Sequence, residues 1–160
     1  MATNQQSAGR AWGNASQVIG KTVATTLKGV QKEISQRTYR ASNELRNASL
    51  YVLRGKRSGK TYLVPGTKQR YRASAPEEPP AVRTGAFRLS WGTHVHVEKQ
   101  GKRYRAVAAI ESKERAGGKL LGELLENGTG RMKPRPYKQA VIDRALPKIK
   151  ALYRKPYPGG

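Results

Sequence analysis

Residues 124–145 read LLENGTGRMKPRPYKQAVIDRA, and the fold is organised around them. An apolar-acidic stretch passes through Gly128-Thr129-Gly130 and a basic Pro-Arg-Pro into a segment of helical period. Gly128 and Gly130 admit backbone angles that other residues avoid, and Thr129 can bond back to the backbone. Pro134 and Pro136 stiffen the approach. Pro136 is expected near the first turn of the last helix, where a missing N–H costs nothing. That helix is expected over 136–153, with Ala140, Val141, Ala145, Ile149 and Leu152 as its buried stripe and Pro147 as a kink or second start. Glu126 and Arg135 are candidates for an ion pair across the turn. Left as two solvated charges, they would contribute under about 1 kcal/mol. Tyr137 is the candidate packing anchor. The stretch is a clasp that fixes a helix against a small domain.

A second helical signal lies upstream. Ile19, Val23, Leu27, Val30, Ile34, Ala41, Leu45, Ala48 and Val52 recur at steps of three, four and seven, which is helical and not strand periodicity. The spacing predicts a helix over 16–54, capped by Ser16 and closed by Gly55. Unbroken, it would be about 55 Å long, and its apolar stripe is thin. Such a helix packs against other copies of itself, or breaks near residue 38, with Gly29 a further candidate for a kink. Residues 1–15 are polar and glycine-containing and are expected to form a mobile arm. Trp12 is its one aromatic, a candidate anchor on a neighbouring subunit.

Between the two helices the sequence alternates between extended pieces and turns. Short strands are expected at 61–64 and 69–73. Ser74-Ala-Pro-Glu-Glu-Pro-Pro-Ala81 follows as a stiff, polyproline-like connector. Thr84-Gly85 opens a turn that should carry Phe87 and Leu89 inward and Arg88 outward. A period-two hairpin then runs from Leu89 to Glu98, turns at Gln100-Gly101 and returns over 103–111. The expected architecture is α+β: a long N-terminal helix, a small antiparallel, hairpin-based sheet and a C-terminal helix packed on it. The expected organisation is an arm (1–15), the helix (16–54), one α+β core (55–155) and a frayed tail (156–160).

Composition narrows the function. The 160 residues hold 32 Lys/Arg against 10 Asp/Glu, net +22, with no cysteine and a mean hydropathy of −0.75. The charge is spread evenly: 14 basic and 4 acidic residues in 1–80, 18 and 6 in 81–160. An evenly basic chain suits a polyanionic neighbour, nucleic acid or an acidic protein surface. Cysteine chemistry is excluded, and no apolar run approaches the roughly 20 residues of a membrane span. The run Arg54-Gly-Lys-Arg-Ser-Gly-Lys-Thr61 has three residues between its glycines where a phosphate-binding loop needs four, and it follows a helix. His94, His96 and Glu98 share a strand face, but the chain has no third histidine to complete a zinc site. No carboxylate or histidine pair stands at acid/base spacing, so neither catalysis nor a cofactor is expected.

Three pieces in fixed order carry a resemblance. Ala75-Pro-Glu-Glu-Pro-Pro-Ala-Val-Arg-Thr-Gly-Ala-Phe-Arg-Leu-Ser90, then Leu125-Glu-Asn-Gly-Thr129, then Arg135-Pro-Tyr137 together resemble the head–tail joining or tail-completion proteins of tailed phages. The likeness covers about residues 71–152. The approach to the Glu-x-Gly-Thr turn reads KLLGELL here, without the aromatics usual in that family. The resemblance implies a small α+β subunit of a ring, commonly sixfold, in the virion's neck or tail top. It implies adjacent head-completion or adaptor proteins and tail-tube proteins as partners, with the basic charge facing either an acidic neighbouring ring or the end of packaged DNA, and no membrane. Gly85, Phe87, Arg88, Gly128, Thr129 and Pro136 would then shape the loops and interfaces. The alternative from another class is a basic nucleic-acid-binding protein of ribosomal or nucleoid type. Lys99, Lys102, Arg103 and Arg105 near the hairpin tip speak for it.

Overall fold

One helix, α1 (Asn4–Arg54), is the spine on which everything else is laid. The computed structural model describes residues 4–158, with side chains described from residue 13 onward. After α1 come β1 (Thr61–Leu63), β2 (Arg70–Arg72), α2 (Ala86–Leu89), β3 (Trp91–Gln100) and β4 (Arg103–Ser112). The chain closes with β5 (Arg115–Ala116), β6 (Lys119–Leu120), α3 (Leu121–Asn127) and α4 (Lys138–Arg154). The α+β architecture is the expected one, with three separate antiparallel strand pairs, β1–β2, β3–β4 and β5–β6, but α4 lies mainly against α1 rather than on the sheet.

α1 is longer than the sequence suggests, and it is unbroken. It begins at Asn4, so Ser16 is not its cap and most of the expected mobile arm is helical. Its 51 residues correspond to about 75 Å. The first residues lack an apolar stripe, which hides them from a periodicity reading. Once a helix is nucleated downstream, each added residue gains a backbone bond at little further cost. Trp12 lies in this helix, and its side chain is outside the described residues. There is no break near residue 38. Thr38 is buried, its hydroxyl donating to the Ile34 carbonyl (2.8 Å) and lying 3.0 Å from Tyr153 Oη.

α4 runs antiparallel to α1. Val141 and Ala145 pack with Ala48, Lys148 Nζ meets Glu44 at 3.1 Å, and Tyr153 reaches Thr38. The helix continues through Pro147, and it starts at Lys138, so Pro136 precedes it. Ala140 is exposed, because the buried stripe narrows to Val141 and Ala145 with Ile149 and Leu152 half-buried.

The β3–β4 hairpin lies along another side of α1. Arg46 Nε donates to the Trp91 carbonyl (2.8 Å), and Ser35 Oγ lies 2.6 Å from Tyr104 Oη. The register runs from Trp91↔Ser112 to Gln100↔Arg103, closed by Gly101 at φ 55°. The alternation expected from Leu89 starts at Trp91 instead. Leu89 belongs to α2 and is 63% exposed, whereas Arg88 is drawn inward. A single helical turn before the strand changes the phase that strict alternation assumes.

The core is Ala48, Leu53, Tyr137, Val141 and Ala145, flanked by Leu45, Val52, Phe87, Trp91, Leu125 and Ile149. Each large apolar side chain fully buried there contributes about 1.5–3 kcal/mol. The tail is fastened to this body. Arg37, 3% exposed, donates to the carbonyls of Lys155 (2.5 Å) and Pro156 (2.7 Å), and its guanidinium lies 4.1 Å from the Tyr157 ring centre. Glu33 balances its charge at 2.7 Å. A buried guanidinium needs acceptors, and the end of α4 supplies carbonyls that the helix leaves free. The expected fraying at 156–160 therefore does not hold for Pro156 and Tyr157.

Candidate functional site

The clasp forms where α3, the 128–137 loop and the proline connector meet. Glu126 on α3 sends Oε2 to the backbone N–H groups of Tyr137 (3.0 Å) and Lys138 (3.3 Å). These are donors at the start of α4, where an anion also meets the positive end of the helix dipole. Arg135 turns the other way. Its Nη1 donates to the carbonyls of Ser74 and, at 2.7 Å, Ala75, while its backbone N–H donates to Leu125 O at 2.8 Å. The Glu126–Arg135 ion pair expected from sequence is therefore not formed. Both charges bind backbone groups, which would otherwise stay unpaired at a loop junction.

Tyr137 is the anchor that the sequence suggests. It is 3% exposed, and its ring makes edge-to-face contacts with Phe87 (5.8 Å) and Trp91 (5.9 Å). Phe87 and Trp91 are themselves 5.6 Å apart, so three aromatics close a triangle. Burial, reinforced by the Glu126 and Glu123 carboxylates, pushes the Tyr137 phenol up to about 12. Its hydroxyl donates to the Gly122 carbonyl at 3.3 Å.

Glycines set the approach distances. Gly128 has φ 76°, and a Cβ there would lie 2.7 Å from Met132 O and 2.8 Å from Pro134 N. Thr129 closes the turn as expected: its N–H donates to Met132 O (2.7 Å), and its hydroxyl accepts from the Met132 N–H (3.1 Å). Gly85 at φ 85° starts α2 and aims Phe87 at the triangle. Pro136 is exposed on the loop.

Three residues that sequence reasoning passes over matter here. Gly122 is one, because a Cβ there would meet Tyr137 Oη at 2.7 Å. Glu78 is another. It accepts from Ser58 Oγ (2.6 Å), Ser58 N–H (3.1 Å) and Ala75 N–H (2.9 Å). The Ser58 hydroxyl first, then the two backbone donors, hold its carboxyl down at about 2. The third is Arg37. Only Glu78 left a local signal, since a carboxylate within a proline turn can cap that turn.

Beside the clasp is a cleft of about 620 Å³, walled by Pro80, Val82, Phe87, Leu121, Leu124 and Met132. Ser74 Oγ and Arg88 Nε are buried along it without hydrogen-bond partners. Its geometry suits holding apolar surface with a polar contact. Among the described residues no three His, Cys, Asp or Glu side chains converge on a metal position. His94 instead meets Glu111 at 3.1 Å, and His96 meets Glu98 at 3.2 Å.

The second notable surface is on α1. Residues 13–28 are exposed all round, and Val18, Ile19, Val23 and Leu27 are each more than half exposed. Ile19, Val23 and Leu27 continue the same helical face that carries Val30, Ile34, Ala41, Leu45 and Ala48. That face is half-buried at Val30 and Ile34 and becomes core at Ala41 and Ala48. The Thr22 and Thr25 hydroxyls fold back onto Val18 O and Lys21 O, both at 2.9 Å. No helix among the described residues is long and apolar enough to cross a membrane.

Comparison with known proteins adds no relative: no family model, no curated protein and no solved structure matches this chain.

Proposed function

We propose that this chain is a structural virion protein, a ring-forming subunit of the neck or tail top of a tailed phage. In that role it completes the tail and joins it to the head. The observation that carries the reading is the bare stretch of α1 at residues 13–28. A helix face that is core inside the domain runs on through Leu27, Val23 and Ile19 for about 12 Å, with none of the described residues covering it. Apolar surface of that kind is stabilised by burial against a partner. A second copy can supply one, and where the face docks on a different patch of that copy, repetition of this head-to-tail contact closes a ring when the rotation permits.

The clasp supports the same reading. The three sequence pieces that resemble neck proteins meet in one place: Phe87 packs on Tyr137, Glu126 caps the helix that Tyr137 begins, and Arg135 ties the Ser74–Ala75 connector. Such a unit fixes loops rigidly for contact with rings above and below, the head-completion or adaptor protein and the tail tube.

Negative-stain electron microscopy of the purified full chain tests this. Closed rings with a central opening, of one size and near six copies by the family likeness, are expected. Single particles of monomer size at all concentrations would count against it.

A further inference from the structure

We propose that the β1–β2 ribbon and its root form a contact surface for the phosphate backbone of double-stranded DNA. This stands whether or not the chain forms a ring. Residues 54–72 contain no Asp or Glu. Arg54, Lys56, Lys60, Lys68, Arg70 and Arg72 are all exposed there, and no ion pair among the described residues includes any of them. Arg57 differs, since its guanidinium is spent on the carbonyls of Val52 (2.7 Å) and Pro80 (3.0 Å). Glu78, beside the ribbon's root, is likewise spent on Ser58 and Ala75. The cations are thus left unneutralised while the root that carries them is rigid. Gly59 N–H donates to Ala73 O (3.0 Å), Ala73 N–H to Lys60 O (2.9 Å), and Val64 N–H to Gln69 O (2.8 Å).

The register sorts the side chains. Thr61↔Arg72 and Leu63↔Arg70 share one face, while Tyr62 and Tyr71 pair on the other with ring centres 6.1 Å apart. Arg70 and Arg72 therefore stand on one face about 6.8 Å apart along the strand. Successive phosphates of one DNA strand rise about 3.4 Å along the axis while winding around it, which sets them roughly 6–7 Å apart in space, so the two cations match neighbouring phosphates. The rival basic surface, the β3–β4 tip, is partly neutralised: Glu98 lies 3.8 Å from Arg105 and 3.2 Å from His96.

The test is fluorescence anisotropy of the full chain with a labelled duplex of about 20 base pairs, between about 50 and 200 mM salt. The wild type is compared with Lys68→Gln/Arg70→Gln/Arg72→Gln and with the tip variant Lys99→Gln/Lys102→Gln/Arg103→Gln. All six sites are exposed, and circular dichroism checks each fold. The ribbon variant is expected to weaken binding at least about tenfold at low salt and to shallow the log–log salt slope by about 2–3, near 0.9 per lost phosphate contact. The tip variant should lose less than about threefold. No duplex binding by the wild type, equal losses in both variants, or tighter binding of a single strand of the same length would each overturn the proposal.

Discussion

The Glu126 carboxylate accepts the Tyr137 backbone N–H at 3.0 Å, so α4 is capped by a residue of α3 rather than by one of its own. The helix start, the glycine turn and the aromatic triangle are thereby one mechanical unit. Glu126→Ala should lower stability by about 0.5–2 kcal/mol, as loss of a helix cap does. Glu126→Gln keeps an acceptor but loses the charge, and should fall between. Thermal unfolding reads this as a drop of about 2–4 °C per kcal/mol for a chain of this size. An unchanged midpoint for the alanine variant would mean that the cap is ornamental.

Gly122 and Tyr137 should be coupled. A methyl group at 122 would sit 2.7 Å from the Tyr137 hydroxyl and 3.6 Å from the Phe87 ring. Gly122→Ala is expected to cost about 1–3 kcal/mol, as overpacking does. Adding Tyr137→Phe removes the colliding oxygen and should recover part of that loss. A double-mutant cycle from denaturant unfolding measures the coupling, and strict additivity would show that the two residues do not touch.

Acid should lower stability in part through Glu78 in the connector. Glu78 is held down at about 2 in the fold against an ordinary value of 4.5. Its contribution is therefore complete above pH 4.5 and is lost as the pH falls from there through about 2. Between those limits the wild type should lose thermal stability more steeply than Glu78→Gln, which is less stable at neutral pH and flatter below it. Parallel curves for the two proteins would contradict the assignment.

How much of this was legible in the sequence depends on what kind of signal each element leaves. The α1 stripe from Ile19 to Val52 and the β3–β4 alternation are long and regular, and both elements stand where periodicity puts them, apart from α1's start at Asn4 and the hairpin's start at Trp91. The glycine turn at 128–130 and the role of Tyr137 were legible because few residue types tolerate those positions. What could not be read is the choice of partner. Glu126 and Arg135 looked like a pair because opposite charges attract, yet each found a stronger need in unpaired backbone groups. Arg37 binds carbonyls more than a hundred positions away, and nothing local in PYPGG announces that. Arg88 and Leu89 exchanged their expected sides because one helical turn precedes the strand.

The central claim is that the bare face of α1 is an interface between copies. Light scattering coupled to size exclusion, on nuclease-treated full chain over a range of concentrations, tests it most directly when wild type is compared with Ile19→Glu/Val23→Glu. Both side chains are exposed, so the folded subunit should survive the change, and circular dichroism checks that it does. The account predicts a discrete oligomer, near six times 17.7 kDa if the family likeness holds, that falls to 17.7 kDa in the double variant. A wild type that stays at 17.7 kDa throughout, or a double variant that keeps the oligomer's mass, would contradict it.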